Sequence, residues 1–104
     1  MIFHTKIAGV TFVDRQRTVS RLNRCGELDT GTELVLRREP NNQFDHNAIA
    51  VFTKSGEQLG YIPRDTAKSM ALNMDRGQDY KAYVTAVTGG DAGSNYGVNI
   101  QIQG

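Results

Sequence analysis

The chain has 104 residues and a formal net charge of +1, which suits one domain with a modest core. No apolar run approaches the ~20 residues that cross a membrane, and the N-terminus lacks the long apolar stretch of a signal peptide. These features predict a cytoplasmic protein without a membrane partner, and one cysteine with two histidines excludes a disulfide framework or a zinc site built from these side chains alone.

The first third of the chain predicts a strand followed by a short helix. The apolar residues of 2–13 form the strand, with a kink at Gly9. Asp14 is suited to cap a helix over residues 15–24, and Gly26 is suited to end it. The spacing i, i+4 and i+7 places three arginines on one face of this helix: Arg17, Arg21 and Arg24.

The middle of the chain predicts three strands joined by a polar loop and a tight turn. Apolar and polar side chains alternate in a strand at residues 32–38. Turn-forming residues then predict a loop at 39–47, and a second apolar strand follows at 48–52. A hairpin turn at residues 55–56 leads into a strand at 58–62.

The last third predicts one more helix and two strands. Asp65 is suited to cap a helix over residues 66–76, and Gly77 ends it. The buried stripe of that helix has the spacing i, i+3, i+4 and i+7 and consists of Ala67, Met70, Ala71 and Met74. Strands follow at 80–87 and 98–103. The inventory of five or six strands with two short helices predicts a small, partly closed β-barrel.

Catalytic and metal-binding motifs are scarce in the sequence. No serine stands in a Gly-x-Ser-x-Gly elbow, and the glycine-rich run 89–93 lacks the lysine of a phosphate-binding loop. Cys25 needs a neighbouring histidine to act as a nucleophile, and we expect it to pack against Val19 and Leu22 as an inert small side chain. The loop at 39–47 is rich in oxygen ligands but lacks the spacing of a calcium loop, so we expect no metal and no cofactor.

Aromatic side chains stand in predicted loops and at strand ends. Phe44 lies in the polar loop, Tyr61 ends a strand, Tyr96 lies in the late glycine-rich loop, and Phe12 precedes the arginine-rich helix. Core packing is the simpler explanation for each ring taken alone. Rings beside arginines on a small barrel are also typical of a single-strand binding surface, where bases stack and arginines bind phosphates.

Arginines are concentrated in the first part of the chain. Residues 1–38 hold seven basic and four acidic side chains, and residues 39–104 hold five and seven. Because the arginine side chain presents a planar set of donors that suits phosphate, this bias indicates an anionic partner. A solvated face balanced by nearby acids is the commoner reason for such a cluster.

Several segments together resemble the HIRAN domain family. Residues 36–51 read LRREPNNQFDHNAIAV, and residues 56–64 read GEQLGYIPR and precede the helix that contains Ala67. The opening AGVTF at residues 8–12 and the arginine-rich helix fit the start of that family. The resemblance covers nearly all of residues 1–104 and implies a single, mainly β domain with an OB-like barrel that binds DNA.

The resemblance also implies a function. In eukaryotic DNA-repair translocases, domains of this family capture the free 3′-hydroxyl end of single-stranded DNA, which helps to remodel stalled replication forks. The family also occurs as short bacterial proteins, which this chain resembles. The expected protein is a non-catalytic module whose partners are single-stranded DNA or DNA 3′ ends, together with a protein that supplies enzymatic activity.

Four residues match binding positions of the family. Asp45 matches the aspartate that accepts a hydrogen bond from the terminal 3′-hydroxyl, and an ionised carboxylate is an acceptor only. Phe44 replaces a tyrosine and can stack on a base without donating a hydrogen bond. Phe12 stands where an aromatic residue packs on the terminal nucleotides, and Tyr96 matches a late ring that stacks on a base.

Two positions depart from the family pattern. Thr11 stands where well-studied members have an arginine, so Arg15 or Arg17 is expected to supply that phosphate contact. Tyr61 stands where those members have a histidine, and its hydroxyl is expected to reach a phosphate.

Two other classes of function stay open from the sequence. The near-neutral charge suits a protein-interaction adaptor that binds no nucleic acid, since small barrels bind peptides as readily. A nuclease would need a metal-binding cluster, for which Glu39, Asp45 and His46 are the nearest candidates in sequence.

Overall fold

A computed structural model of the protein describes residues 1–10, 13–91 and 94–104. Thr11 and Phe12, two of the predicted DNA-contacting residues, lie outside the described residues. Within these ranges the chain forms six strands and two helices, in the order β1 (Ile2–Lys6), α1 (Val13–Arg24), β2 (Glu33–Arg38), β3 (Ile49–Thr53), β4 (Gln58–Tyr61), α2 (Arg64–Asp75), β5 (Lys81–Thr88) and β6 (Gly97–Gln103). The predicted mainly β fold with two helices is confirmed.

The six strands form one antiparallel sheet in the order β1-β6-β5-β2-β3-β4. Just beyond β1, Ala8 pairs with Tyr61 of β4 through two backbone hydrogen bonds of 2.7 and 2.9 Å. This bridge links the two edges of the sheet, so the sheet curls into the predicted partly closed barrel.

Two glycines shape the point where the barrel closes. A Cβ atom on Gly60 would overlap the carbonyl oxygen of Ala8, so the two backbones approach closely only because Gly60 has no side chain. Gly9 has a φ of +72°, which turns the chain out of the sheet and toward α1. The predicted strand over residues 2–13 is therefore too long, because regular pairing ends at Lys6.

Both helices and the inner face of the sheet share one core. β6 shows the alternation expected for a half-buried strand, since Val98, Ile100 and Ile102 are fully buried. α2 buries three of the four residues predicted for its apolar stripe, namely Ala67, Met70 and Ala71, and Met74 packs partly buried against the same cluster. α1 contributes the buried Val19 and Leu22.

The predicted N-terminal caps of both helices are wrong. α2 begins at Arg64 after Pro63, whose fixed φ of −52° leads into the helix, and no side chain caps it. Asp65 and Asp14 lie inside the first turns of α2 and α1, where their negative charge interacts favourably with the positive end of the helix dipole. The strands β2 to β6 agree with the prediction to within one residue at each end.

Cys25 is exposed, which contradicts the expectation that it packs against the core. α1 ends at Arg24, and Gly26 has a φ of +75° that reverses the chain. Cys25 therefore leaves the helical register that buries Val19 and Leu22.

No helix within the described ranges is long and apolar enough to span a membrane.

Candidate nucleic-acid interface

The polar loop at residues 39–48 is ordered by its own side chains. The Oδ1 atom of Asn42 accepts hydrogen bonds from the N–H groups of Phe44 and Asp45, at 2.9 and 3.1 Å. Oδ1 of Asp45 in turn accepts the N–H of Asn47 at 2.9 Å. These are the local side-chain turns that asparagine and aspartate favour, so the loop holds a defined shape without regular secondary structure.

Arg38 ties the end of this loop to α2. Its guanidinium donates to the carbonyl oxygens of Ala48 and His46, at 2.8 and 3.1 Å, and to the carboxylate of Asp75, at 3.0 and 3.2 Å. The side chain of Arg38 is only 14% exposed. Its hydrogen bond to Asp75 lowers the pKa of that carboxyl. The loop is therefore fastened to a rigid element, as a binding loop needs to be.

A cleft of about 490 Å³ opens between this loop, the start of α2 and the segment that leads to α1. We call it the loop cleft. It brings together four of the predicted site residues, Arg15, Phe44, Asp45 and Tyr61. Its walls also include Asn42 and Arg64.

Asp45 is the acceptor on the wall of the loop cleft. Its side chain is 20% exposed, and Oδ2 lies 3.5 Å from Nε of Arg64. Arg64, whose side chain is 72% exposed, also donates to the carbonyl oxygen of Phe44 at 3.0 Å. A carboxylate offers about four acceptor sites, so the two contacts of Asp45 leave capacity for a ligand hydroxyl.

Arg64 is a residue of the loop cleft that the sequence analysis did not single out. It ends the second segment that resembles the family, and it is the first residue of α2 after Pro63. Its position in the sequence could have indicated this role, because the start of a helix after a strand holds a basic side chain in a defined place beside the polar loop.

Phe44 and Tyr61 have different surroundings. Phe44 is 79% exposed and so has no role in the core. The hydroxyl of Tyr61 donates to Glu39 at 2.9 Å, and the guanidinium of Arg15 lies 5.2 Å from the Tyr61 ring centroid. Arg15 also donates to the carbonyl oxygen of Gly9 at 3.0 Å. Tyr61 thus packs against a cation through its ring while its hydroxyl is held by a carboxylate.

The remaining described site residues, Arg17 and Tyr96, lie in a second depression. It has a volume of about 430 Å³, and we call it the α1 groove. Gln16 joins its two sides, because its amide donates to the carbonyl oxygen of Tyr96 at 2.9 Å and accepts the Tyr96 N–H at 2.7 Å. The groove is lined by Gln16, Arg17, Ser20, Arg24, Gly90, Ser94, Asn95 and Tyr96. The eight predicted residues therefore divide into four in the loop cleft, two in the α1 groove and two outside the described ranges.

The residues considered for a nuclease do not form a metal site. Among the residues that the structure describes, no three His, Cys, Asp or Glu side chains gather as metal ligands. Glu39 accepts hydrogen bonds from Tyr61 and Asn42, and Asp45 faces Arg64.

Comparison with known proteins places the chain in a family. The family model of the HIRAN domain matches residues 2–104. The chain belongs to the HIRAN domain family. HIRAN domains are DNA-binding domains, so this chain is a DNA-binding module by family. The sequence resemblance is thereby confirmed.

Solved structures show the same fold. A crystal structure of a protein from Lactobacillus plantarum has a TM-score of 0.68 and 26% identity, with all of both chains covered. The HIRAN domain of human HLTF also has a TM-score of 0.68, at 21% identity over 97% of this chain and 72% of that one.

Two larger proteins contain a similar segment. The helicase-like transcription factor of Oryctolagus cuniculus is 40% identical over 50 residues, which is 48% of this chain and 5% of that protein. A Fanconi-associated nuclease 1 homolog of Arabidopsis thaliana is 37% identical over 49 residues, which is 47% of this chain and 6% of that protein. The match therefore spans about one twentieth of the length of these relatives.

Proposed function

We propose that this HIRAN domain binds single-stranded DNA and captures its free 3′-hydroxyl end in the loop cleft. One observation carries the proposal: the acceptor Asp45 stands beside Phe44, a large ring that is 79% exposed. An exposed ring next to an acceptor in one cleft suits a ligand with a flat base and a terminal hydroxyl.

Asp45 supplies the preference for the end. A terminal hydroxyl donates a hydrogen bond to the carboxylate, while a terminal phosphate brings negative charge against it. The N–H of Asn47 fixes one carboxylate oxygen, so the group does not need to reorganise when the strand binds. Hydrogen bonds to charged groups contribute about 1.5–3 kcal/mol, which predicts a preference of roughly 10- to 100-fold.

Phe44 and two arginines hold the terminal nucleotides. Phe44 stacks on a base, and Arg64 and Arg15 stand on the walls of the same cleft and bind phosphates. Tyr61 acts as a positioning residue in this proposal, since its hydroxyl is engaged by Glu39 and its ring lies under Arg15.

We also propose that the module binds without cleaving. A carboxylate that activates a metal-bound water needs to hold the metal, whereas Asp45 faces the cation of Arg64. The relatives are named as a helicase-like factor and a nuclease homolog, and the matched segment is a small part of each. The partner that we propose is therefore a protein that acts on DNA.

The variant Asp45→Asn tests the capture of the end. Its side-chain oxygen still accepts the Asn47 N–H, so we expect the fold to persist. We expect wild type to prefer a ~10-nucleotide strand with a 3′-hydroxyl over one with a 3′-phosphate, and the variant to lose this preference, as measured by fluorescence anisotropy.

The matched control is Asp79→Asn, which removes the same charge from an exposed residue outside both depressions. It should keep the preference of wild type. An Asp45→Asn variant that also keeps the preference would show that Asp45 does not read the end.

A further inference from the structure

The α1 groove has cationic side chains without counter-ions. Arg17 and Arg24 are exposed, and within the described ranges neither makes a hydrogen bond or an ion pair. Arg21 on the same helix differs, because it pairs with Glu57, and that contact raises its pKa. No carboxylate lines the groove among the residues described. The groove therefore presents unneutralised positive charge in a concave surface.

The two arginines lie along α1 and both line the groove. Seven residues separate Arg17 from Arg24, which is two helical turns or about 10 Å at 1.5 Å per residue. At the ~3.4 Å rise of a stacked strand, that distance spans about three phosphates. The hydroxyl of Ser20 lies between them on the same face. The row formed by Arg17, Ser20 and Arg24 therefore suits the successive phosphates of a nucleic-acid strand better than it suits a single anion.

The opposite wall of the groove offers a ring and an amide. The backbone of Tyr96 is held by its hydrogen bonds to Gln16, and its partly buried side chain packs against the core with the ring so close to Gly90 that a Cβ there would overlap it. Asn95 stands beside it. A fixed ring opposite a row of arginines is the arrangement that single-strand binding surfaces use.

The α1 groove and the loop cleft lie on either side of the first turn of α1. Arg15 lines the loop cleft and Arg17 lines the groove, since residues two apart on a helix point about 200° away from each other. A helix with its side chains is ~10 Å across. A strand held by its 3′ end in the cleft therefore reaches the groove after about three further nucleotides.

We propose that the α1 groove binds the upstream phosphates of the same DNA strand whose 3′ end occupies the loop cleft. This inference rests on the proposed function and adds a direction to it. The 3′ terminus lies at Asp45, and the strand runs toward its 5′ side past Arg17 to Arg24. An acidic peptide could use the same arginines, but the match of spacing and the ring of Tyr96 favour a nucleic-acid strand.

The test compares strands of 4 and 12 nucleotides, each with a free 3′-hydroxyl, by fluorescence anisotropy. We expect wild type to bind the longer strand about tenfold more tightly or better. The groove variant Arg17→Gln/Arg24→Gln should lose most of this gain in affinity. Its slope of log K against log salt on the longer strand should be shallower by about 1.4, because two phosphate contacts are lost at ~0.7 each.

The matched control is Lys68→Gln/Arg76→Gln, which removes two exposed cations of α2 and the region just after it, outside the groove. It changes the net charge equally and should keep the gain with length. A second measurement localises the contact: neutral methylphosphonate linkages placed five to eight nucleotides from the 3′ end should weaken wild type and leave the groove variant unaffected.

The outcomes separate this inference from the proposed function. A groove variant that keeps the gain with length, while wild type still prefers a 3′-hydroxyl, overturns the groove and leaves the capture of the end intact. If the groove variant loses the gain in affinity with length, and wild type shows no preference for a 3′-hydroxyl, the result supports binding in the α1 groove and contradicts capture of the 3′ end. Failure of wild type to bind either strand contradicts both.

Discussion

Among the residues of the loop cleft, Phe44 has the surroundings most typical of a residue that contacts a ligand. Its exposed ring gains nothing from the core, and the backbone around it is fixed by Asn42. An exposed ring on an ordered loop presents a face on which a base can stack. The residue is therefore expected to matter for binding and not for folding.

The variant Phe44→Ala tests this separation. Stacking of one base contributes about 1–3 kcal/mol, so strand affinity should fall roughly 5- to 150-fold. The melting temperature should change little, because the ring is 79% exposed. Leu72→Ala is the matched control, since Leu72 is 54% exposed on α2 and lines neither depression. An unchanged affinity for Phe44→Ala would contradict the stacking role.

Asp75 gives a prediction that depends on pH. The Arg38 hydrogen bond lowers the pKa of Asp75 below its ordinary value near 3.8. Because the folded pKa is depressed, the pair stabilises the fold above that value, and the contribution is lost as pH falls through the folded pKa. Asp75→Asn should therefore lower the melting temperature at pH 7, and the difference from wild type should vanish in acid.

Hydrogen exchange measures the same contact locally. Because Arg38 joins Asp75 to the carbonyl oxygens of His46 and Ala48, the loop amides should exchange faster in Asp75→Asn. Asp79→Asn should show neither effect. A difference in melting temperature that persisted well below the ordinary pKa would contradict the assignment to this pair.

Single residues of the site were predictable where a local motif carried them. Asp45 and Phe44 stand in the segment that resembles the family, and turn chemistry explains why the loop holds them in place. Arg64 was missed because its contact with Asp45 spans nineteen residues and depends on where α2 begins. Tyr61 was expected to reach a phosphate, but its hydroxyl donates to Glu39, a long-range pairing that no local pattern indicates.

The elements meet at the bridge between Ala8 and Tyr61, which also forms the floor of the loop cleft. β4 brings Tyr61 to this point, and the segment after β1 brings Ala8. The close approach depends on Gly60. Barrel closure and the shape of the loop cleft therefore share one contact.

Gly60→Ala tests this dependence. The added methyl group would overlap the carbonyl oxygen of Ala8, so the bridge has to open or shift. We expect a loss of about 1–3 kcal/mol in the free energy of unfolding, as for other overpacked sites, together with weaker strand binding. Gly77→Ala is a contrasting variant, because nothing lies near its added methyl group and any cost comes from its φ of +97° alone. If Gly60→Ala bound DNA like wild type, the bridge would not shape the cleft.

The sequence predicted the type of each helix and strand correctly, but it predicted where they begin and end less accurately. The alternation of apolar and polar residues in β6 and the spacing of apolar residues in α2 predicted which face of each element is buried. The first strand was predicted too long because its apolar residues continue past Gly9, whereas regular pairing ends at Lys6 and the φ of +72° at Gly9 then turns the chain. Both caps were assigned to aspartates, while the helices begin one residue earlier than those side chains.

At the scale of the whole molecule, arginines line both depressions beside α1. The net charge is only +1, yet exposed or cleft-lining arginines flank α1 on both sides. A partly closed barrel could be predicted from the inventory of strands. The division of the predicted residues between two depressions could not, because it depends on the rotation of α1 against the sheet.

The salt dependence of binding follows from this arrangement. Arg15, Arg64, Arg17 and Arg24 give about four phosphate contacts, so log K should fall with log salt at a slope near −2.8. Between 50 and 200 mM salt, affinity for a 12-nucleotide strand should fall roughly 50-fold. Titrations across that range measure the slope. A slope near zero would contradict binding through phosphates and favour an uncharged or peptide partner.

The most direct test of the capture of DNA ends uses wild-type protein and two strands of ~10 nucleotides that differ only at the 3′ end. Fluorescence anisotropy compares a 3′-hydroxyl with a 3′-phosphate, and a strand with a 5′-phosphate controls for added charge. We predict binding that is roughly 10- to 100-fold tighter for the 3′-hydroxyl, with no penalty for the 5′-phosphate. Equal affinity for both 3′ ends would contradict end capture and leave a general strand-binding surface.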